Sequence, residues 1–280
     1  MDLLALLVRQ TSQLFGGRLA SWLERRQALP WASTRKLSRR LNEVVSKASA
    51  GDASNARVLA HLCEQIPGMT LSQVEAYVRG AKEPTIEELR QICAALGASF
   101  EFVWKDEGAP FDVRPDPYPT VDEYLRLVRG EEVEEIYFVR GDALPHSSFI
   151  ALRLDEYRYA VLPQLWHVSR INGNGGANAL VELTQLIERL QKLRRSSGVM
   201  RGLSVPESVA SAVFDGRLHP RALTGSKCRS SHWWDDLGDV DHKRSCAKDY
   251  ASLYDDEFFA AQKLIKWTRA ENMAEDGQRL

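Results

Sequence analysis

Hydrophobic positions recur at helical spacing through the first hundred residues and then give way to short runs of β-branched and aromatic residues. Helices are predicted over 2–15 (Leu3, Leu6, Leu7 and Leu14 on one face) and 18–29 (Leu19, Trp22, Leu23), separated by Gly16-Gly17 and stopped by Pro30. A third spans 33–48, capped by Ser33. Leu37, Leu41, Val44 and Val45 turn inward there, and Arg35, Lys36, Arg39, Arg40 and Lys47 turn outward. After the small polar stretch 50–54, helical pattern resumes at Ala56. Thr70 followed by Gln73 is a capping box, in which a hydroxyl and an amide satisfy the first amides of a helix that ends at Gly80. Thr85 with Glu88 repeats the device after Pro84, and Gly97 supplies the next stop. Leu71, Val74, Tyr77 or Val78 fall on the inward side of the first of these helices, and Ile86, Leu89, Ile92, Cys93 and Leu96 on that of the second.

The second half reads differently. Four prolines in DEGAPFDVRPDPYP mark a linker at 106–119. A helix capped by Thr120 and Glu123 follows, then three strand-like runs: EEIYFVR, SFIALRL and YRYAVLP. Asp155-Glu156 predicts a hairpin between the last two, LWHVSRI adds a fourth strand, and INGNGGAN reads as a turn. Further helices are expected over 179–195, after a cap at Ser204 with Pro206 in the first turn, and from about 249 to 269. The fold class expected is a mainly α N-terminal part plus a C-terminal α+β domain with a small antiparallel sheet. The divisions are 1–32 (helices suited to dimerisation), 33–105, the linker 106–119, and 120–280.

Residues 62–99 carry a more specific pattern. Leu62, Cys63, Glu64, Gln65, Ile66, Gly68, Met69 and Thr70, followed by Gly80, Pro84, Thr85, Leu89, Ile92, Cys93, Leu96, Gly97 and Ser99, resemble the helix-turn-helix of the Cro and lambda-repressor type. Cys63 stands where that family usually has alanine, and Pro67 reads as a one-residue insertion in the turn. The resemblance extends over about 57–103 and leaves the C-terminal part unassigned. It implies that the helix from Thr70 to Arg79 enters the major groove with its N-terminal residues nearest the base edges. Thr70, Ser72, Gln73, Ala76 and Arg79 would then face DNA together with Lys82. Gln73 is chemically able to read adenine bidentately, and Arg79 to reach phosphate or guanine. The basic face of the preceding helix, Arg35, Lys36, Arg39 and Arg40, suits phosphate contact.

The charge distribution agrees better with local than with general polyanion binding. Net charge is -1, yet residues 1–50 hold nine Lys and Arg against Asp2, Glu24 and Glu43, while 106–163 hold thirteen acids against six arginines. The apolar LLALLV is too short to span a membrane and lacks a cleavage signature, so a cytoplasmic protein is expected. The 4 cysteines fit reduced thiols. Cys228, His232, His242 and Cys246 pair Cys with His four apart, twice, in mirror order. That spacing would put each pair on one helical face and offer four ligands to a zinc ion. The competing reading packs Cys246 as a small hydrophobe and leaves the histidines at the surface. Ser147 or Ser148 as a nucleophile would need a lysine base, and none lies between Lys105 and Lys192. No cofactor and no enzymatic role is expected, zinc being the one alternative.

The function expected is a sequence-specific transcriptional regulator, most simply a repressor, acting as a homodimer on an inverted-repeat site in double-stranded DNA. The alternatives are an interaction scaffold or antitoxin-like partner protein with a degenerate helix-turn-helix, and, with less to support it, a metal-dependent nucleic-acid enzyme.

Overall fold

The computed structural model describes residues 34–49, 55–112, 120–130, 133–172, 174–194, 199–241 and 252–278. The helices expected over 2–15 and 18–29 lie outside these residues. Helices come first: α1 (34–48), α2 (Ala56–Gln65), α3 (Leu71–Arg79), α4 (Ile86–Leu96) and α5 (Phe100–Lys105). Local chemistry sets their ends. Gln73 Oε1 accepts from the Thr70 amide at 2.9 Å while Thr70 Oγ1 accepts from the Gln73 amide. Thr85 and Glu88 form the same reciprocal pair. Gly80 ends α3 in the left-handed region, at φ +72°.

One core holds these helices together. Leu41, Val44 and Val45 of α1 pack with Val58, Leu62, Val74, Tyr77, Leu89, Ile92 and Leu96. Two expected core residues stand outside it: Leu71 is 48% and Ile86 52% exposed. Each is the first residue after its cap, and helical side chains lean toward the N-terminus, so a first-turn residue points off the end of the helix. Arg40 departs in the opposite direction. Expected to face outward, it is buried because α5 covers that side of α1, and it donates to the Trp104 carbonyl at 3.1 Å and sits 3.7 Å from Asp106.

The second part is α+β, but its sheet is mixed, six-stranded and larger than expected. After α6 (Val121–Gly130) come β1 (Glu135–Gly141), β2 (Ser147–Arg153), β3 (Tyr159–Val161) and β4 (Trp166–His167). Next are α7 (Asn174–Arg194), β5 (Val199–Val205), α8 (Glu207–Phe214), a 3-10 turn (Pro220–Thr224), β6 (Arg229–Ser230), α9 (Trp233–Leu237) and α10 (Asp256–Gln278). The strand order is β3-β2-β1-β5-β6, with β4 also pairing β2. β1 and β2 run antiparallel, and β1 and β5 run parallel, with Phe138 opposite Gly202. The alternation of strands sorts the core into two layers. Ile136, Phe138, Ile150 and Leu152 pack with Leu183, Ile187, Trp233, Phe258 and Ile265. Tyr137, Val139, Phe149 and Ala151 pack with Ala210, Val213 and Leu223 on the other face.

Several boundaries differ from expectation. Ser204 caps no helix; it lies in β5, and α8 starts after Pro206 with Asp142 accepting from the Glu207 amide. α7 begins at Asn174 and runs through the glycine turn. α10 begins at Asp256, where Asp255 accepts from the Phe258 amide at 2.8 Å. Asp155 makes the expected hairpin by accepting from the amides of Tyr157 and Arg158.

The helical part and the sheet are in direct contact. Tyr157, in the β2–β3 hairpin, is wholly buried in the core of the helices. From the expected linker, Phe111 is 3% exposed and its amide donates to Gly216 O, while Ser99 N–H donates to Pro110 O.

Candidate nucleic-acid interface

α3 is seated by Val74 and Tyr77, both fully buried. The Tyr77 hydroxyl donates to Glu88 Oε1 at 2.7 Å, so the capping carboxylate of α4 also ties α3 in place. The Thr85 amide first, and then the Tyr77 hydroxyl, hold the Glu88 carboxyl below the usual range. Burial first, and then Glu88, push the Tyr77 phenol up to about 12, so this link is intact at any physiological pH. The opposite side of α3 is uncovered: Thr70, Leu71, Ser72 and Arg79 are exposed and Gln73, Glu75 and Ala76 half-buried.

Four of the predicted cations converge beside it. Arg35 and Arg39 from α1, Arg79 from the end of α3 and Lys82 from the following turn line one open groove of about 640 Å³, together with Ser38, Asn42, Gly80 and Glu83. Its walls are braced. Ser38 Oγ donates to Val78 O at 2.7 Å, and a Cβ on Gly80 would stand 3.0 Å from Ser38 Oγ. The single acid, Glu83, accepts from the Thr34 hydroxyl at 3.2 Å. Arg79 lies 3.3 Å from the half-buried Glu75, and Lys82 sits 5.5 Å from the Tyr77 ring centroid. Among the described residues, Arg35 and Arg39 make no ion pair.

The other predicted contacts distribute unevenly. Thr70, Ser72 and Gln73 lie toward the other end of α3 from this groove, roughly 9–13 Å along the axis from Arg79 at 1.5 Å per residue. Gln73 is not poised to read adenine. Its Oε1 already accepts from both the amide and the hydroxyl of Thr70 at 2.9 Å, which fills the lone pairs that a bidentate contact would use. Lys36 is exposed but does not line the groove. Buried Arg40 is removed from phosphate contact. Leu71 is the residue the spacing argument missed: periodicity reads a first-turn leucine as core, whereas it stands exposed between Thr70 and Ser72.

Of the four residues expected as zinc ligands, Cys228 and His232 are described, and they do not form the helical pair expected. β6 lies between Cys228 and His232, so the two share no helical face; Cys228 Sγ is 3.4 Å from Ala222 O, burial raises its thiol pKa, and His232 is exposed before α9. His242 and Cys246 lie outside the described residues. Among the described residues no group of three His, Cys, Asp or Glu is placed to hold a metal, and no helix is long and apolar enough to cross a membrane. Ser147 and Ser148 are both buried, with the Ser148 hydroxyl donating to His146 O at 3.0 Å.

No family model, curated protein or solved structure matches the chain.

Proposed function

We propose that this chain is a sequence-specific DNA-binding transcriptional regulator of the cytoplasm, working as a dimer on an inverted-repeat site, with α3 entering the major groove. The observation that carries the reading is the convergence of Arg35, Arg39, Arg79 and Lys82, from stretches some forty residues apart in sequence, beside the uncovered face of α3. Local cations next to an exposed helix supply the nonspecific phosphate attraction that a net charge of -1 does not. The helix itself is held rigidly by Val74, Tyr77 and Glu88, as base readout demands.

A second reading, docking of a protein partner on α3, draws on the exposed Leu71 and Ile86 and on the closure of Gln73 into its capping box.

Selection of genomic fragments by the purified chain near physiological salt separates the two. Enrichment of one inverted-repeat motif, lost in an Arg79→Ala, Lys82→Ala variant, is the expected result. Absence of enrichment at any salt, with a stable heteromeric partner recovered instead, would transfer the assignment to the protein-docking reading.

A further inference from the structure

The two ends of α3 differ chemically. Its N-terminal end is sealed, because Thr70 and Gln73 satisfy each other and Thr70 Oγ1 occupies the Gln73 amide. An anion finds less there than at an open helix start. At its C-terminal end, three arginines and a lysine surround a groove whose one carboxylate is already engaged by Thr34. We propose that this groove between α1 and the α3–α4 turn is the seat of the DNA backbone. It takes phosphodiester groups of one strand, and α1, which stands outside the α2–α3 pair, is the principal phosphate-contacting helix. This inference rests on the DNA-binding reading above and assigns the path of the backbone within it.

Three observations carry it. The first is supply of free charge: among the described residues Arg35 and Arg39 have no ionic partner, and the exposed Arg79 has only the half-buried Glu75. A surface i,i+4 pair of that kind is exchanged for a phosphate at little cost. The second is pre-organisation. Leu37, Leu41, Val44 and Val45 fix α1 in the core, and the Ser38–Val78 hydrogen bond with the close approach of Gly80 fixes the turn against it. The cations are therefore presented from two walls that do not need to be assembled on binding. The third is chemistry: guanidinium forks match the paired oxygens of a phosphodiester, and the groove, open to solvent and about 640 Å³ in volume, is larger than a single ion fills.

The test uses the full chain and a duplex obtained by selection, with single uncharged methylphosphonate linkages placed in turn along each strand. Wild-type affinity should fall several-fold at one short run of neighbouring linkages in each half-site. An Arg35→Gln, Arg39→Gln variant should be insensitive at those same linkages, keep the wild-type base preference, and show a salt slope flatter by about 1.8, at about 0.9 for each phosphate that is no longer neutralised. Both arginines are exposed, so an unchanged melting curve for the variant verifies its fold. Binding of the variant with the wild-type linkage profile and slope would overturn this assignment while leaving DNA recognition standing. Failure of the wild-type chain to bind any duplex would overturn both.

Discussion

At the scale of single residues, the side chains nearest the start of α3 exchange the roles that their types suggest. Gln73, the obvious base reader, is a structural residue whose carbonyl oxygen is consumed by Thr70. Leu71, the apparent core residue, is left exposed at 48%. Replacing Gln73 with alanine should lower stability by about 0.5–1 kcal/mol through the capping box and leave base preference intact. A shift in the selected motif would restore Gln73 to direct readout. Leu71→Ala should hardly change stability but should alter recognition, because an exposed aliphatic group at this position can meet the methyl of thymine in the major groove. The check is a site with deoxyuridine for thymine. Wild-type affinity falls when the contacted methyl is removed, and the Leu71→Ala protein, which has no such contact, binds both sites alike. Equal wild-type binding to both would remove Leu71 from recognition.

At the scale of elements, what could be read from the sequence was what is local. The capping pairs at Thr70, Thr85 and Thr120 and the glycine stops form where their spacing predicts, because each is satisfied within a few residues of chain. β5 was hidden because its partner is distant: Gly202 pairs with Phe138, and the VMRGLSV run has a glycine where strand propensity is judged. That glycine is required by packing, since a Cβ there would stand 2.0 Å from Ser231 O and 2.3 Å from Trp234 Cδ1. The burial of Arg40 is not legible for a similar reason: α5 covers it, and no pattern within α1 announces that cover. The α3–α4 turn offers a direct test of such packing. Gly80→Ala places a side chain at φ +72° and pushes it against Ser38. The left-handed conformation alone costs about 1–2 kcal/mol. A loss of unfolding free energy of that size is expected, read as a lower urea midpoint at unchanged slope, together with weaker DNA binding as the groove wall moves; an unchanged midpoint would show that the turn relaxes freely.

For the whole molecule, the consequential feature is how the helices that carry the groove meet the sheet. His219, wholly buried at this junction, has one ring nitrogen 2.9 Å from Tyr157 O and the other 3.1 Å from the Arg221 amide. A carbonyl requires a donor and an amide requires an acceptor, so the ring is neutral, with the proton on Nε2. Phe111 packs on it with the rings nearly perpendicular, 4.8 Å between centroids. Protonating Nδ1 would set an N–H against the Arg221 N–H in a site that water does not reach. Burial accordingly lowers the His219 pKa to about 4, against about 6.5 when unfolded. The sign follows from linkage. Between these values the unfolded chain binds a proton that the folded chain refuses, so the stabilisation is complete above pH 6.5 and is lost as pH falls toward 4. The loss should reach on the order of 2–3 kcal/mol across that window. Denaturant titrations at successive pH values from 7 to 4.5 should show it for the wild type. A His219→Gln protein, which keeps a donor for Tyr157 O but does not titrate, should show a flatter profile over the same range. Parallel profiles for the two proteins would mean that the junction admits a charged imidazole. Because Tyr157 and Phe111 are shared with the core of the helices, this acid sensitivity should appear in DNA affinity as well as in unfolding.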